Sequence, residues 1–157
     1  MSALATLASA TRPDSWDLPL LVHLLGAMVL VGALALSSVS LVAAWRNGSA
    51  ALTRLGYLTL FYGALPGYIV FRAGAEWIVS KEDLADSNLS WIGIGYAVSD
   101  IGFLLLLIAL VIGAIGMRRM RRGEQPSPLA ARVVTGLVSL VLVGYLVAVW
   151  AMTTKPS

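Results

Sequence analysis

The chain has 157 residues, of which 59% are hydrophobic and 12% are charged, with a mean hydropathy of +0.86 and a net charge of +3. A water-soluble domain is usually about half apolar and a quarter charged, so this composition excludes an ordinary soluble fold and indicates an integral membrane protein. The pI near 9.6 does not indicate a nucleic-acid partner, because most of the positive charge lies in one short loop beside apolar segments. The absence of cysteine excludes disulfides and thiol catalysis.

Four apolar runs are long enough to cross about 30 Å of hydrocarbon, which needs roughly 20 helical residues. They lie at about 18–44, 55–78, 91–117 and 133–152. The pattern predicts an all-α fold, a four-helix transmembrane bundle that runs up, down, up and down and forms a single domain over residues 1–157. Tryptophans mark the ends of these runs, where an amphipathic indole is favoured. They are Trp16, Trp45, Trp77, Trp91 and Trp150.

Arginine is concentrated in the connections after the first and third runs. These connections contain Arg46, Arg54, Arg118, Arg119, Arg121, Arg122 and Arg132. Basic connections stay on the cytoplasmic side of a membrane, so both termini and the acidic connection at 79–90 are predicted to be extracytoplasmic. The expected location is the cell (plasma) membrane, which the chain crosses several times. The group of Arg118, Arg119, Arg121 and Arg122 is expected to attract anionic lipid of the inner leaflet.

Ionisable residues within apolar helices are costly, so they are treated as candidates for function. The four such residues are His23, Arg72, Glu76 and Asp100. At about 1.5 Å of rise per residue, all four fall in the outer third of their predicted helices. Because helices that alternate in direction bring distant residues to one depth, the sequence predicts that these side chains converge.

Helical spacing supports this convergence. Tyr68, Arg72 and Glu76 recur every four residues and form one stripe, as do Tyr96 and Asp100. We therefore predict a buried polar cluster in which Arg72 pairs with Asp100 and Glu76 completes the charge balance. Such a cluster either satisfies its own charges and determines which helices are neighbours, or it acts on a transported species. The residues alone leave both interpretations open.

His23 is the only histidine in the chain and is predicted to lie beside the pair of Arg72 and Asp100. Its imidazole can ligate haem, ligate a metal, carry a proton, or simply hydrogen-bond to a neighbouring helix. Gly26, one turn further along, predicts open space beside the ring. No metal site is predicted within one chain, because the sequence offers neither cysteine nor a second histidine.

The opening run, WDLPLLVHLLGAMVLVGALAL, resembles the first helix of a group of small bacterial four-span membrane proteins. The segments LPGYIVFRAGAEWI and WIGIGYAVSDIGFLLLLI are similar in layout to an actinobacterial-type family of integral membrane proteins. A more distant similarity reaches CopD-type copper-resistance proteins and HemJ-type protoporphyrinogen oxidases. In that wider group the histidine that corresponds to His23 is associated with haem or copper, so the resemblance implies haem as a candidate cofactor. The chain lacks the further histidine, methionine and lysine positions of the active members.

Three functions remain open from the sequence. The favoured one is a structural or accessory membrane protein that self-associates or joins other membrane subunits. The second is a haem- or quinone-associated redox protein that uses His23. The third is a proton or small-solute carrier that uses Asp100, Glu76 and Arg72. The chain contains no G-x-S-x-G, P-loop or H-E-x-x-H motif, so the sequence gives no indication of enzymatic chemistry.

Overall fold

The computed structural model of the protein describes residues 17–81, 90–125 and 127–154, with only the backbone of residues 90–92. Within these ranges the chain is helical apart from short connections, and it contains no strand, so the predicted all-α class is confirmed. The elements are α1 (Asp17–Asn47), α2 (Ala50–Thr59), a π-helical turn (Leu60–Ala64), α3 (Leu65–Lys81), α4 (Ser90–Arg121) and α5 (Pro128–Thr154).

Three of these helices are long and apolar enough to cross a membrane: Asp17–Asn47, Gly93–Arg121 and Pro128–Thr154. This finding indicates a multi-pass membrane protein. The remaining run, α2 to α3, is helical without a break, but the π-helical turn divides it, and α3 has 17 residues. The turn ends two residues before Pro66, which has no N–H to donate, and the N–H of Leu65 bonds to the carbonyl of Leu60.

The helices extend a few residues beyond the predicted apolar runs at both ends. The reason is that apolarity marks the hydrocarbon, whereas backbone hydrogen bonding continues into the interface. Between α1 and α2 the chain turns at Gly48, whose φ of 63° is a left-handed conformation that favours glycine. Ser49 then caps α2 by accepting a hydrogen bond from the N–H of Leu52 at 3.3 Å.

Helices α1 and α3 approach each other so closely that only glycine fits at three positions, Gly26, Gly67 and Gly74. We call this contact the glycine seam. A Cβ added at Gly67 would lie 2.8 Å from the backbone nitrogen of Leu30, and one at Gly74 would lie 2.6 Å from Cα of His23. At Gly26 a Cβ would collide with the backbone of Phe71. Residues later in α1 contact residues earlier in α3, so the two helices are antiparallel.

Helix α5 packs against both α1 and α4. Gly102 of α4 accommodates the ring of Tyr145, and Gly95 accommodates the end of Met152. The contacts among the helices enclose a core whose largest fully buried side chains include Leu30, Leu34, Leu41, Leu60, Leu106, Val134 and Val138. Apolar side chains also cover much of the outward surface, for example Met28, Val39 and Leu104, all of which are exposed. Such a surface requires lipid or a partner helix.

Candidate functional site

Arg72 on α3 is the centre of a polar cluster that joins α3 to α4. Its Nε lies 3.0 Å from Oε1 of Glu76, one helical turn further along α3. Its Nη1 donates to Oδ1 of Asp100 at 3.0 Å and to the hydroxyl of Ser99 at 3.2 Å. One guanidinium therefore satisfies two carboxylates and a hydroxyl on two helices. The fork of an arginine suits this geometry better than the single ammonium of a lysine.

Two tyrosines belong to this cluster, one in contact with the guanidinium and one linked to it through Ser99. The ring centroid of Tyr96 lies 4.7 Å from the Arg72 guanidinium carbon, a cation–π distance, and the Tyr96 hydroxyl donates to Oε2 of Glu76 at 3.3 Å. Tyr68 accepts a long hydrogen bond of 3.5 Å from Ser99. The sequence thus predicted the members of this Arg72 cluster, which we define as Arg72, Glu76, Asp100, Tyr68 and Tyr96, and the structure brings them together.

The exposure of the cluster differs from the expectation of a buried site. The Arg72 side chain is 29% exposed, whereas the side chains of Glu76 and Asp100 are 50% and 63% exposed. The difference arises because the carboxylates lie at the outward edge of the contact between α3 and α4, which helical spacing alone does not reveal. The cluster therefore presents a negatively charged rim to the surroundings of the bundle.

Two residues that the sequence analysis did not single out, Ser99 and Phe103, complete this contact, and Tyr145 of α5 packs on α3 beside it. Ser99 is buried and links Arg72 to Tyr68. The ring of Phe103 stacks on Tyr68 with centroids 4.4 Å apart and an interplanar angle of 9°. Tyr145 packs its ring edge-on against Phe71 at 5.6 Å. Only Ser99 carried a signal in the sequence, as the neighbour of Asp100. We call the contacts of the Arg72 cluster, Ser99 and Phe103 the polar seam.

His23 lies in the glycine seam and not in the Arg72 cluster. Its Nδ1 is 3.1 Å from the carbonyl oxygen of Phe71, and its ring centroid is 4.7 Å from that of Phe71. Among the described residues it makes no hydrogen bond to Asp100, and its predicted position beside the Arg72 pair stays a prediction. The predicted open space at Gly26 is filled by the backbone of Phe71. Close packing of α1 and α3 accounts for this difference.

The tautomer of His23 follows from this contact. A carbonyl oxygen can only accept a hydrogen bond, so the hydrogen lies on Nδ1 in the neutral ring and the lone pair on Nε2. A histidine oriented in this way is suited to ligate a metal or haem iron through Nε2. Within residues 17–81, 90–125 and 127–154, no group of three or more histidine and carboxylate side chains converges on a metal position.

The predicted lipid-binding arginines lie at the end of α4 and in the following turn, and their contacts differ. They are Arg118, Arg119, Arg121 and Arg122. Nε of Arg119 lies 3.9 Å from Oε2 of Glu124, whereas Arg118 and Arg121 line grooves beside α4. The sequence treated these residues as one group because charge counting does not distinguish faces of a helix.

Comparison of the chain with protein-family models, curated proteins and solved structures finds no match. The resemblance to small bacterial four-span proteins therefore remains a prediction.

Proposed function

We propose that the protein is a four-span subunit of the cell membrane with a structural or accessory role, which assembles with copies of itself or with other membrane proteins. In this proposal the run from α2 to α3, 32 residues in all, is the fourth span. At 1.5 Å per residue it is about 48 Å long, more than the hydrocarbon requires. The four spans form one domain and alternate in direction.

The arginine distribution supports an orientation with both termini outside the cytoplasm. Seven arginines follow the first and third spans, accompanied by a single acidic residue, Glu124. This imbalance favours retention of these connections in the cytoplasm. Two reporters are fused after residue 157, one that is active only outside the cytoplasm and one that is active only inside it. The first is expected to be active. Activity of the second reporter alone would contradict the orientation.

The depth of the Arg72 cluster agrees with this orientation. Eighteen residues separate Arg54 from Arg72, and 18 separate Arg118 from Asp100. Both cluster residues therefore lie about 27 Å from the cytoplasmic arginines. Since the hydrocarbon is about 30 Å thick, the cluster lies at its outer edge, where half-exposed carboxylates reach water and headgroups. This position is far less costly than the membrane centre.

The observation that supports a structural role is that one arginine pairs with carboxylates on two helices. The guanidinium contacts both carboxylates, and Tyr96 occupies the second oxygen of Glu76. A network of this kind specifies which helices are neighbours and in what register. The network connects α3 to α4. Among the described residues, these two helices make none of the close backbone contacts that form the glycine seam.

A double-mutant cycle tests this role. Arg72→Leu and Asp100→Leu should each lower the free energy of unfolding in detergent by about 1.5 kcal/mol, and the double variant should lose clearly less than the sum. Arg119→Leu is the matched control, because it removes an exposed arginine with one distant partner. Additive losses would exclude the pairing. Normal stability with loss of a liposome flux in Asp100→Asn would favour the carrier function instead.

The orientation of His23 favours a haem- or quinone-associated redox protein as the second candidate. The carbonyl of Phe71 holds the ring with Nε2 free of the proton, as an axial ligand requires. A bound haem would supply one-electron chemistry at that position. A Soret band in protein purified from haem-replete cells, lost in His23→Ala, would support this candidate. A colourless preparation would exclude haem.

A further inference from the structure

Two grooves lie between residues 50–62 and α4, far along these helices from the polar seam. One groove of about 340 Å³ is lined by Ala50, Ala51, Arg54, Leu58, Met117, Met120 and Arg121. The other, of about 300 Å³, is lined by Phe61, Tyr62, Ala114, Met117, Arg118 and Arg121. Met117 and Arg121 border both, so the two grooves adjoin each other, and we call the pair the Arg54–Arg121 groove.

Three arginines line this groove, Arg54, Arg118 and Arg121. Among the described residues, no carboxylate forms an ion pair with Arg54, Arg118 or Arg121. Arg119, only two residues from Arg121, does have a carboxylate nearby in Glu124. Two helices, α2 and α4, therefore contribute arginines to one groove, and none of these arginines has a carboxylate partner among the described residues. Such an arrangement has the charge complementarity of an anion-binding site.

The rest of the groove is apolar and faces away from the bundle. Leu58, Phe61 and Ala114 form its walls, and Tyr62 is 80% exposed at its edge. The groove lies beside a close contact in which the ring of Tyr57 packs against Gly113 and Gly116. A small water-soluble anion would leave this apolar wall uncovered. A molecule with an anionic head and a hydrocarbon tail would cover both parts.

We propose that the Arg54–Arg121 groove binds one acidic glycerophospholipid. Its phosphate lies between Arg54 and Arg121, with Arg118 beside it, and an acyl chain follows the apolar wall toward Phe61. This inference rests on the proposed membrane function, since it places the groove in the inner leaflet. It differs from diffuse attraction of lipid to the whole arginine group, because Arg54 takes part whereas Arg119 and Arg122 do not.

Two double variants with equal charge change separate a site from diffuse attraction. Phosphatidylglycerol binding to the detergent-purified chain is measured by native mass spectrometry. Arg54→Gln with Arg121→Gln should weaken binding of the first lipid roughly tenfold. Arg119→Gln with Arg122→Gln should change it less than about twofold, because these residues lie outside the groove. Equal losses in the two double variants would overturn the proposal.

Further arms test the chemistry of the head and the tail. Phosphatidylcholine should bind the unaltered chain more weakly than phosphatidylglycerol, and inorganic phosphate should not compete at equal concentration, because it cannot cover the apolar wall. Ala51→Phe fills the groove without changing charge and should also weaken lipid binding. Competition by phosphate, or unchanged binding in Ala51→Phe, would contradict a lipid site. These measurements do not depend on orientation, so a contrary result from the reporter fusion would leave them valid.

Discussion

The glycine seam and the polar seam lie on two faces of α3 and are built by different means. In the glycine seam three missing side chains let the backbones of α1 and α3 meet directly. In the polar seam an arginine, two carboxylates and stacked rings span a wider separation between α3 and α4. The first contact relies on shape and dispersion, and the second on charge and hydrogen bonding. One helix can therefore combine a rigid contact with one that depends on its electrostatic surroundings.

The largest expected effect breaks the glycine seam. In Gly26→Ala the new methyl group would collide with the backbone of Phe71, which cannot move without separating the helices. We expect a loss of about 2 kcal/mol in the free energy of unfolding, measured in detergent. Gly32→Ala is the control on the same helix, because nothing lies within 4 Å of its added Cβ. The control should gain up to about 1 kcal/mol from the higher helix propensity of alanine. Similar losses in both variants would remove the argument for close packing.

A smaller effect is expected when the polar seam keeps its charge but loses its geometry. Arg72→Lys retains one positive charge, yet an ammonium cannot reproduce the fork that contacts Glu76, Asp100 and Ser99 together. We expect a loss of about 1 kcal/mol in the same unfolding measurement. Arg119→Lys should remain within about 0.3 kcal/mol of the parent, because its ion pair is exposed and long. An unchanged Arg72→Lys protein would show that charge alone suffices.

The smallest effect is expected from substitutions of Tyr96, which separate the contribution of its hydroxyl from that of its ring. Tyr96→Phe removes only the hydroxyl bond to Glu76, which is exposed, and should cost about 0.3 kcal/mol or less. Tyr96→Leu also removes the ring beneath Arg72 and should cost about 0.5 to 1 kcal/mol. The difference between the two variants, measured by thermal or denaturant unfolding, isolates the cation–π contact. Equal losses would assign the whole effect to the hydroxyl.

Part of the candidate site was accessible to sequence reasoning because it depends on short-range regularities. Residues spaced by four share a helix face, so the stripe of Tyr68, Arg72 and Glu76 follows from the letters alone. The pairing of Arg72 with Asp100 followed from opposite charge at similar depth. The contact of His23 with Phe71 could not be predicted from the sequence, since it depends on which face of α1 meets α3. The contacts of Gly26 and Gly74 decide that face, and glycine positions alone do not name their partners.

The predicted attraction of the α4 arginines to lipid as one group stays a prediction, and it does not involve Arg54. Charge counting treats Arg118, Arg119, Arg121 and Arg122 as equivalent, because attraction to a charged surface depends mainly on their number. A groove depends on direction around the helix and on what the neighbouring helix contributes. Arg54, more than 60 residues earlier, became part of the site only when the run 50–81 was placed beside α4.

The helical class, the apolar runs and the charge pattern that supports an orientation follow from the amino-acid sequence. These depend on composition and on periodicities within about one turn of helix, both of which are local. Tertiary structure alone decided that His23 binds the carbonyl of Phe71, that the carboxylates of the Arg72 cluster face outward, and that Arg54 shares a groove with Arg121. These outcomes depend on the rotation of each helix about its axis, which is set by packing between residues distant in the chain.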